Sequence, residues 1–305
     1  MPATSAPDPE LTSLVTVVTP CLNSARFIEQ TILSVLEQDY PRIEYIVMDG
    51  GSTDGTLDIV KKYEARLRWR TGADKGAADA INKGFALGSG EIFGFLNADD
   101  LYLPGAVSAA VRHLADSDAA AVYGEAWWID EAGKRISPYP VKDFDRAALE
   151  RECFICQPAS FFRHKDFENA GGLDPAFNLT FDYDLWLRLT RTGRLLRIPD
   201  LLAESRMHKS NKTLGQRDAV FRETFRVLKR NCGYVPFSWT YAYLCYRADS
   251  RDQFFEPLKP SLTRYLESLP AGLWLNQGKM TKYAAEWVRV MSWRGFRRRL
   301  SRRSE

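Results

Sequence analysis

Two acidic clusters in the 305-residue chain have the residue types and spacing for chemistry: Asn97-Ala98-Asp99-Asp100 and Phe181-Asp182-Tyr183-Asp184. The first closes an apolar run, Ile92-Phe93-Gly94-Phe95-Leu96, that reads as a buried strand. Adjacent carboxylates at a strand end repel each other and are tolerated where a divalent cation or hydrogen-bond donors hold them. The second cluster opens an amphipathic stretch and offers a carboxylate as a base. A metal-holding pair followed by a separate carboxylate suggests metal-assisted group transfer from a phosphorylated donor.

The flanking sequence must bring these clusters together. Leu14–Val18 (closed by Pro20), Ile43–Met48 (closed by Asp49), Leu67–Arg70, Ile92–Leu96 and Ala120–Tyr123 read as strands. Helical patterns lie between them at Phe27–Gln38, Thr56–Ala65, Ala77–Ala86 and Pro104–Ala115. This alternation predicts an α/β fold with a mostly parallel central sheet and helices on both faces. Ligands of such folds bind beyond the carboxyl ends of the strands. That rule gathers three segments at one edge: Thr19-Pro20-Cys21-Leu22-Asn23, Asp49-Gly50-Gly51-Ser52-Thr53-Asp54-Gly55 and Asn97–Asp100.

After residue 125 the pattern loosens. Short strands are expected at Ala126–Ile129, Ala159–Phe162, Leu195–Ile198 and Leu201–Met207, and a helix at Tyr183–Thr190. From Gly215 the chain reads as helical, through the aromatic run Phe237–Tyr246 to a last helix at Thr281–Leu300. The expected division is a flexible N-terminus (1–13), a catalytic α/β domain that carries both clusters (14–213) and a helical C-terminal extension with a basic tail (214–305).

Seven motifs occur in the order found in family 2 glycosyltransferases, which have the GT-A (Rossmann-like) fold, and Leu14–Thr213 resembles that family. They are Thr19-Pro20-x-x-Asn23, Asp49–Thr56, Asp74-Lys75-Gly76 with Asp79–Gly84, Gly94–Asp100, Gly171-Gly172-Leu173-Asp174, Asp182–Leu189 and Arg206-Met207-His208-Lys209-Ser210. The resemblance implies an inverting, metal-dependent transfer of a hexosyl or deoxyhexosyl group from a nucleoside-diphosphate sugar. The acceptor would be a hydroxyl of a glycan or lipid-linked saccharide, in bacterial polysaccharide biosynthesis. By position, Asp49 would meet the nucleobase, with Pro20, Asn23, Gly51 and Asp54 in the same donor-side pocket. Lys75 and Asp79 would lie near the ribose or diphosphate, and Asp99 near the ribose or sugar. Asp100 would hold Mn²⁺ or Mg²⁺, with His208 as a further metal or diphosphate ligand. Asp182 would be the base. Many members carry Glu before that Asp; Phe181 stands here and cannot take a proton, so Asp184 is a rival. Asp182 also reads as a helix N-cap, Asp184 as a first-turn acid favoured by the helix dipole, and Asp49 and Asp54 as turn formers.

Composition sets the outer bounds. A net charge of only +3 gives no whole-chain basis for nucleic-acid binding. The positive charge concentrates in Arg294–Glu305, with six Arg and one Glu, which fits a solvated end or peripheral contact with anionic lipid. Five scattered cysteines fit a reducing compartment, and Cys153-x-x-Cys156 lacks the second pair of a zinc site. The first residues lack the features of a signal peptide, so a cytoplasmic place, peripheral on the inner face of the plasma membrane, is the expectation. Two other readings remain: a non-catalytic nucleotide-sugar-binding module and a nucleotidyltransferase. The second needs a basic, Gly-rich first turn, and Thr19–Asn23 has no Gly, Lys or Arg.

Overall fold

A computed structural model of the chain describes residues 12–208, 211–250, 258 and 260–291. The basic tail, the end of the last expected helix and residues 1–11 of the N-terminus expected to be flexible lie outside the described residues. The chain forms two compact units. The first comprises the residues up to Arg146 together with Cys153–Gly215; the second joins Ala147–Glu152 to the residues from Gln216 onward. The division near residue 213 is therefore accompanied by an early excursion of six residues that a linear reading misses.

The first unit is built on a nine-stranded sheet. Its strands are β1 (Val15–Cys21), β2 (Ile43–Asp49), β3 (Arg68–Thr71), β4 (Ile92–Phe95), β5 (Leu101–Tyr102), β6 (Ala121–Ile129), β7 (Arg135–Pro138), β8 (Ser160–Arg163) and β9 (Leu195–Arg206). The order is β3-β2-β1-β4-β8-β6-β9-β5, with β7 on β6. The strands β3, β2, β1 and β4 run parallel, and β6 is parallel to β9. Between these two sets β8 runs antiparallel to both neighbours.

Helices α1 (Ile28–Leu36), α2 (Thr56–Lys61), α3 (Ala77–Leu87) and α4 (Ala106–Ala115) alternate with the first strands. Then come α5 (Arg146–Leu149), α6 (His164–Asn169), α7 (Phe181–Leu189) and α8 (Lys212–Gly215). Apolar runs make β1, β2 and β4 buried strands: Val15, Val17, Ile46, Val47, Phe93 and Phe95 are all essentially inaccessible. On one face Phe85 of α3 stacks on Phe93 of β4 at 4.2 Å, and Phe162 and Phe167 close around them.

Two pairs of short strands expected from the sequence are single long strands, β6 and β9. Gly124 and Pro199-Asp200 interrupt their patterns without ending them. The register slips between Tyr123 and Ala126 as Tyr123 pairs with Arg197 and Glu125 with Leu201. A Cβ at Gly124 would sit 2.5 Å from the Asp200 carbonyl, so glycine lets the two strands meet across the bulge.

The second unit consists of helices α9 (Arg217–Cys232), α10 (Phe237–Asp249), α11 (Leu262–Leu275) and α12 (Met280–Met291) with the excursion 147–152. Trp239 Nε1 donates to the Glu150 carbonyl at 3.1 Å and Ser238 Oγ to that of Arg151 at 2.8 Å. Its core gathers Tyr234, Phe237, Tyr241, Cys245, Tyr265 and Tyr283.

Candidate active site

The parallel strands end level with one another. Cys21 of β1 pairs with Asp49 of β2, and Asp49 with Thr71 of β3. β4 stops at Phe95 beside Val18, so Pro20 lies past the last β1–β4 rung, where a missing N–H costs no ladder bond. The turns after these strands therefore share one edge, as the parallel pattern requires.

Side chains lock the first two turns to each other. Asn23 sits at φ 51°, a left-handed conformation that asparagine tolerates better than most residues. Its Oδ1 accepts the Thr53 N–H at 2.9 Å, and its own N–H donates to Ser52 Oγ at 2.8 Å. Asp54 accepts from Ala25 N at 3.0 Å and Thr56 N at 3.1 Å. Asp49 is buried and accepts from Gly51 N, Ser52 N and Thr71 Oγ1 at 3.0, 3.1 and 2.6 Å. Burial works against its charge, yet the bonds from Ser52, Thr71 and Gly51 hold the carboxyl below the ordinary carboxylate range. Asp49 thus organises the turn, with Gly51 at φ 96° permitting the chain to fold back. Lys75 is exposed; its N–H donates to Asp79 Oδ2 at 2.9 Å, and Asp79 also pairs with Lys83 at 2.8 Å. Asp79 therefore serves the start of α3.

The acid turn after β4 rests on a hydrogen-bond frame. Gln157 Nε2 donates to the Phe95 carbonyl at 2.6 Å, which fixes its amide and turns Oε1 toward Asn97 Nδ2 at 2.9 Å. Asn97 Nδ2 also faces Asp100 Oδ2 at 3.4 Å. The other oxygen of Asp100 accepts the Arg206 N–H at 2.8 Å. Asp100, expected from the sequence as the metal ligand, faces inward. Its side chain is 4% exposed, committed to backbone and Asn97, and pushed well above the ordinary carboxylate range by burial and by the charge of Asp99.

Asp99 occupies the outward position instead. Its Oδ2 lies 2.9 Å from His208 Nε2, with 26% of its side chain exposed. Two ligands about 2.1 Å from an octahedral cation in adjacent positions stand roughly 3 Å apart, so this pair has the spacing to share one. Among the described residues no group of three or more His, Cys, Asp or Glu could hold a metal. A carboxylate and an imidazole suffice where substrate phosphates and water complete the shell, as is usual for Mg²⁺ and similar ions.

Arg206, part of the last motif, is a residue to which the sequence reading gave no role. Its side chain is 1% exposed. Nε donates to the Asp99 carbonyl at 2.9 Å, one terminal nitrogen to the carbonyls of Asp130 and Glu131, and the other to Gln30 Oε1 at 2.8 Å. The guanidinium also stacks on Phe27, whose ring touches that of His208. A single buried cation thus joins α1, the acid turn and the β6–β7 turn beneath the Asp99–His208 pair. The available signal was a charged residue ending a long half-apolar strand.

The second acidic cluster separates into two unlike carboxylates. Asp184 has no exposed surface and its Oδ2 takes Arg188 Nε at 2.7 Å within α7. Of the two candidate bases, Asp184 is therefore the enclosed one. Asp182 is partly exposed on the first turn of α7, and Thr180, not Asp182, holds the N-cap position. Phe181 is buried against Phe95 of β4. After burial, the charges of Asp100 and Asp182 both contribute to raising the thiol of Cys156, so both carboxylates lie within electrostatic reach of one side chain. Asn82 anchors the approach to α7, donating to the Leu173 carbonyl at 2.7 Å and accepting its N–H at 3.0 Å.

Comparisons with known proteins bear on the fold and the family. The chain is 29% identical over 212 residues to an uncharacterized glycosyltransferase of Rickettsia conorii, covering 64% of this chain and 34% of that protein. It is 27% identical over 223 residues to the chondroitin synthase of Escherichia coli, covering 72% and 32%. The match thus spans about a third of the length of these relatives. Among solved structures, S. aureus TarS 1-349 in complex with UDP-GlcNAc aligns with a TM-score of 0.62 at 16% identity, covering 88% of this chain and 82% of that one. The mannosyltransferase PcManGT from Pyrobaculum calidifontis, in complex with GDP-Man and Mn²⁺, aligns at 0.58 and 21% identity, covering 100% and 83%. The fold is that of the GT-A glycosyltransferases. The family model for glycosyl transferase family 2 matches residues 16–171, just over half of the sequence, and the chain belongs to that family.

Proposed function

We propose that residues 14–213 catalyse inverting, metal-dependent transfer of a hexosyl or deoxyhexosyl group from a nucleoside-diphosphate sugar to a hydroxyl of a glycan or lipid-linked acceptor, in bacterial polysaccharide assembly. The observation that carries this reading is the Asp99–His208 pair, 2.9 Å apart at the carboxyl edge of the parallel strands, with Asp99 partly exposed. TarS and PcManGT, which share the fold, are solved with UDP-GlcNAc and with GDP-Man and Mn²⁺.

The turns carrying Pro20, Asn23, Gly51 and Asp54 receive the nucleoside, with Asp49 acting through the turn it holds. Lys75 lies exposed on the diphosphate side. Asp99 and His208 hold Mn²⁺ or Mg²⁺, which when bound offsets the charge growing on the departing diphosphate. Asp182 takes the acceptor proton as its oxygen attacks the anomeric carbon from the face opposite the leaving group. General base catalysis of this kind contributes roughly 10²–10⁴-fold.

A thermal-shift screen of nucleoside diphosphates with Mn²⁺ tests the site, because a ligand that binds the native state raises its stability by mass action. The wild type should show a Mn²⁺-dependent shift that Asp99→Ala and His208→Ala both lose. An undiminished shift in both variants would sink the metal assignment. Donor binding without hydrolysis or transfer to any hydroxyl acceptor would identify a binding module instead.

A further inference from the structure

Five of the eight large apolar side chains exposed among the described residues lie on one helical hairpin of the second unit: Leu262, Leu266 and Trp274 on α11, Met280 and Val288 on α12. They are 46–70% exposed, and Trp274 is the most exposed of all. The inner face of α11 is already satisfied. Tyr265 stacks on Trp287 at 4.3 Å, Trp287 Nε1 donates to the Tyr265 carbonyl at 3.0 Å, and Tyr283 Oη donates to that of Ser268 at 2.9 Å. The outer face repeats every four residues as Leu262, Leu266, exposed Pro270 and Trp274. A surface helix normally turns polar residues outward, so an apolar outer stripe marks a contact surface.

Charge identifies what it contacts. Glu267 is paired with Arg264, and Glu286 accepts the Tyr234 hydroxyl. Among residues 260–290 Lys279, Lys282 and Arg289 are exposed, and the one well-exposed anionic side chain there, Glu267 at 43%, is held by Arg264. The sequence then adds six Arg in its last twelve residues. A second copy of the same face would bring like charge against like. No helix among the described residues is long and apolar enough to cross a membrane, so the hairpin's contact with lipid is superficial.

We propose that the α11–α12 hairpin docks on an anionic lipid bilayer, with Leu262, Leu266 and Trp274 entering the boundary between headgroups and acyl chains and Lys279, Lys282 and Arg289 meeting the headgroups. Trp is favoured at that depth because its ring is apolar and its N–H stays wet. The hairpin belongs to the second unit, and lipid binding is read without donor or acceptor.

Flotation of the full chain with phosphatidylcholine vesicles, with and without about 30% phosphatidylglycerol, tests it. The wild type should float with the anionic vesicles and be released by salt. The double variant Leu266→Ser/Trp274→Ser should partition roughly tenfold less or weaker still, with an unchanged melting temperature because both side chains already face water. The variant Lys279→Gln/Lys282→Gln/Arg289→Gln should lose part of the preference for anionic vesicles. Failure of the wild type to float, or equal flotation of the apolar double variant, overturns the proposal. So does a dimer in sedimentation velocity that the double variant abolishes, since the face would then belong to a second copy.

Discussion

Asn97→Asp would put a third carboxylate into the Asn97–Asp100 turn, and the structure predicts that it damages the protein. Asn97 Nδ2 is the donor that faces both Gln157 Oε1 and Asp100 Oδ2. Gln157 cannot turn its amide to help, because its Nε2 is held by the Phe95 carbonyl. Replacing the amide by a carboxylate removes a donor to a buried charge, a loss of about 1.5–3 kcal/mol. Two full charges at the 3.4 Å seen between these atoms repel by up to about 5 kcal/mol at an effective dielectric of roughly 20. The pair escapes part of that cost by keeping one proton between them, so it titrates as a unit.

The sign follows from that proton. The carboxyl introduced at position 97 has a raised native pKa, so above about pH 4 the native state binds a proton that the unfolded chain has released, and stability falls as pH rises until the native value is passed. Urea unfolding of wild type, Asn97→Ala and Asn97→Asp should be compared between about pH 5 and about pH 8.5. The alanine variant controls for the lost donor. The gap between the two variants should widen with pH, and Asn97→Asp should be the less stable by about 2–4 kcal/mol at the alkaline end. A gap that does not change with pH, or an Asn97→Asp protein as stable as wild type at the alkaline end, would refute the frame beneath the acid turn.

Asp182→Asn should keep donor binding and lose transfer by about 10²–10⁴-fold, measured as product formed per donor bound. Asp184→Asn should act on stability, because Arg188 would be left buried without its carboxylate; a loss of about 3–5 kcal/mol is expected in chemical denaturation. Arg206→Met leaves the carbonyls of Asp99, Asp130 and Glu131 without their donor; it should weaken Mn²⁺-dependent donor binding in calorimetry while Arg206→Lys recovers only part of it. Asp49 has a native pKa below its ordinary 3.8, so its contribution is complete above that value and lost as pH falls through the lower native one; Asp49→Asn should flatten the acid limb of the stability profile.

The parallel half of the sheet was readable because β1, β2 and β4 are rich in β-branched and apolar residues and largely buried. Their carboxyl ends carry the Gly- and Asp-rich turns, which is where the candidate site was expected. The antiparallel placement of β8 was not readable. Ser160–Arg163 is too short for its periodicity to reveal direction, and its pairing with β4 and β6 depends on chain distant in sequence. Within the site, residue types pointed to a cluster of carboxylates but not to how each is solvated. Asp99 and Asp100 are neighbours with opposite exposures, because one backbone turn points the first toward His208 and the second toward the Arg206 N–H. Asp182 and Asp184 differ in the same way: Arg188, one helical turn beyond Asp184, claims the latter.

The excursion 147–152 has a consequence for synthesis of the chain. Roughly 65 residues separate Glu152 from Gln216, where the rest of its unit begins. At about 5–20 residues per second a ribosome takes about 3–13 s to cross that interval. Throughout it, the carbonyls of Glu150 and Arg151 await Trp239 and Ser238, which are translated later still. The first unit can therefore fold around a segment that waits in water as a tether, and translation order makes its capture by the later helices one of the last steps of maturation. A nascent chain stalled before Trp239 would carry the segment without those two partners.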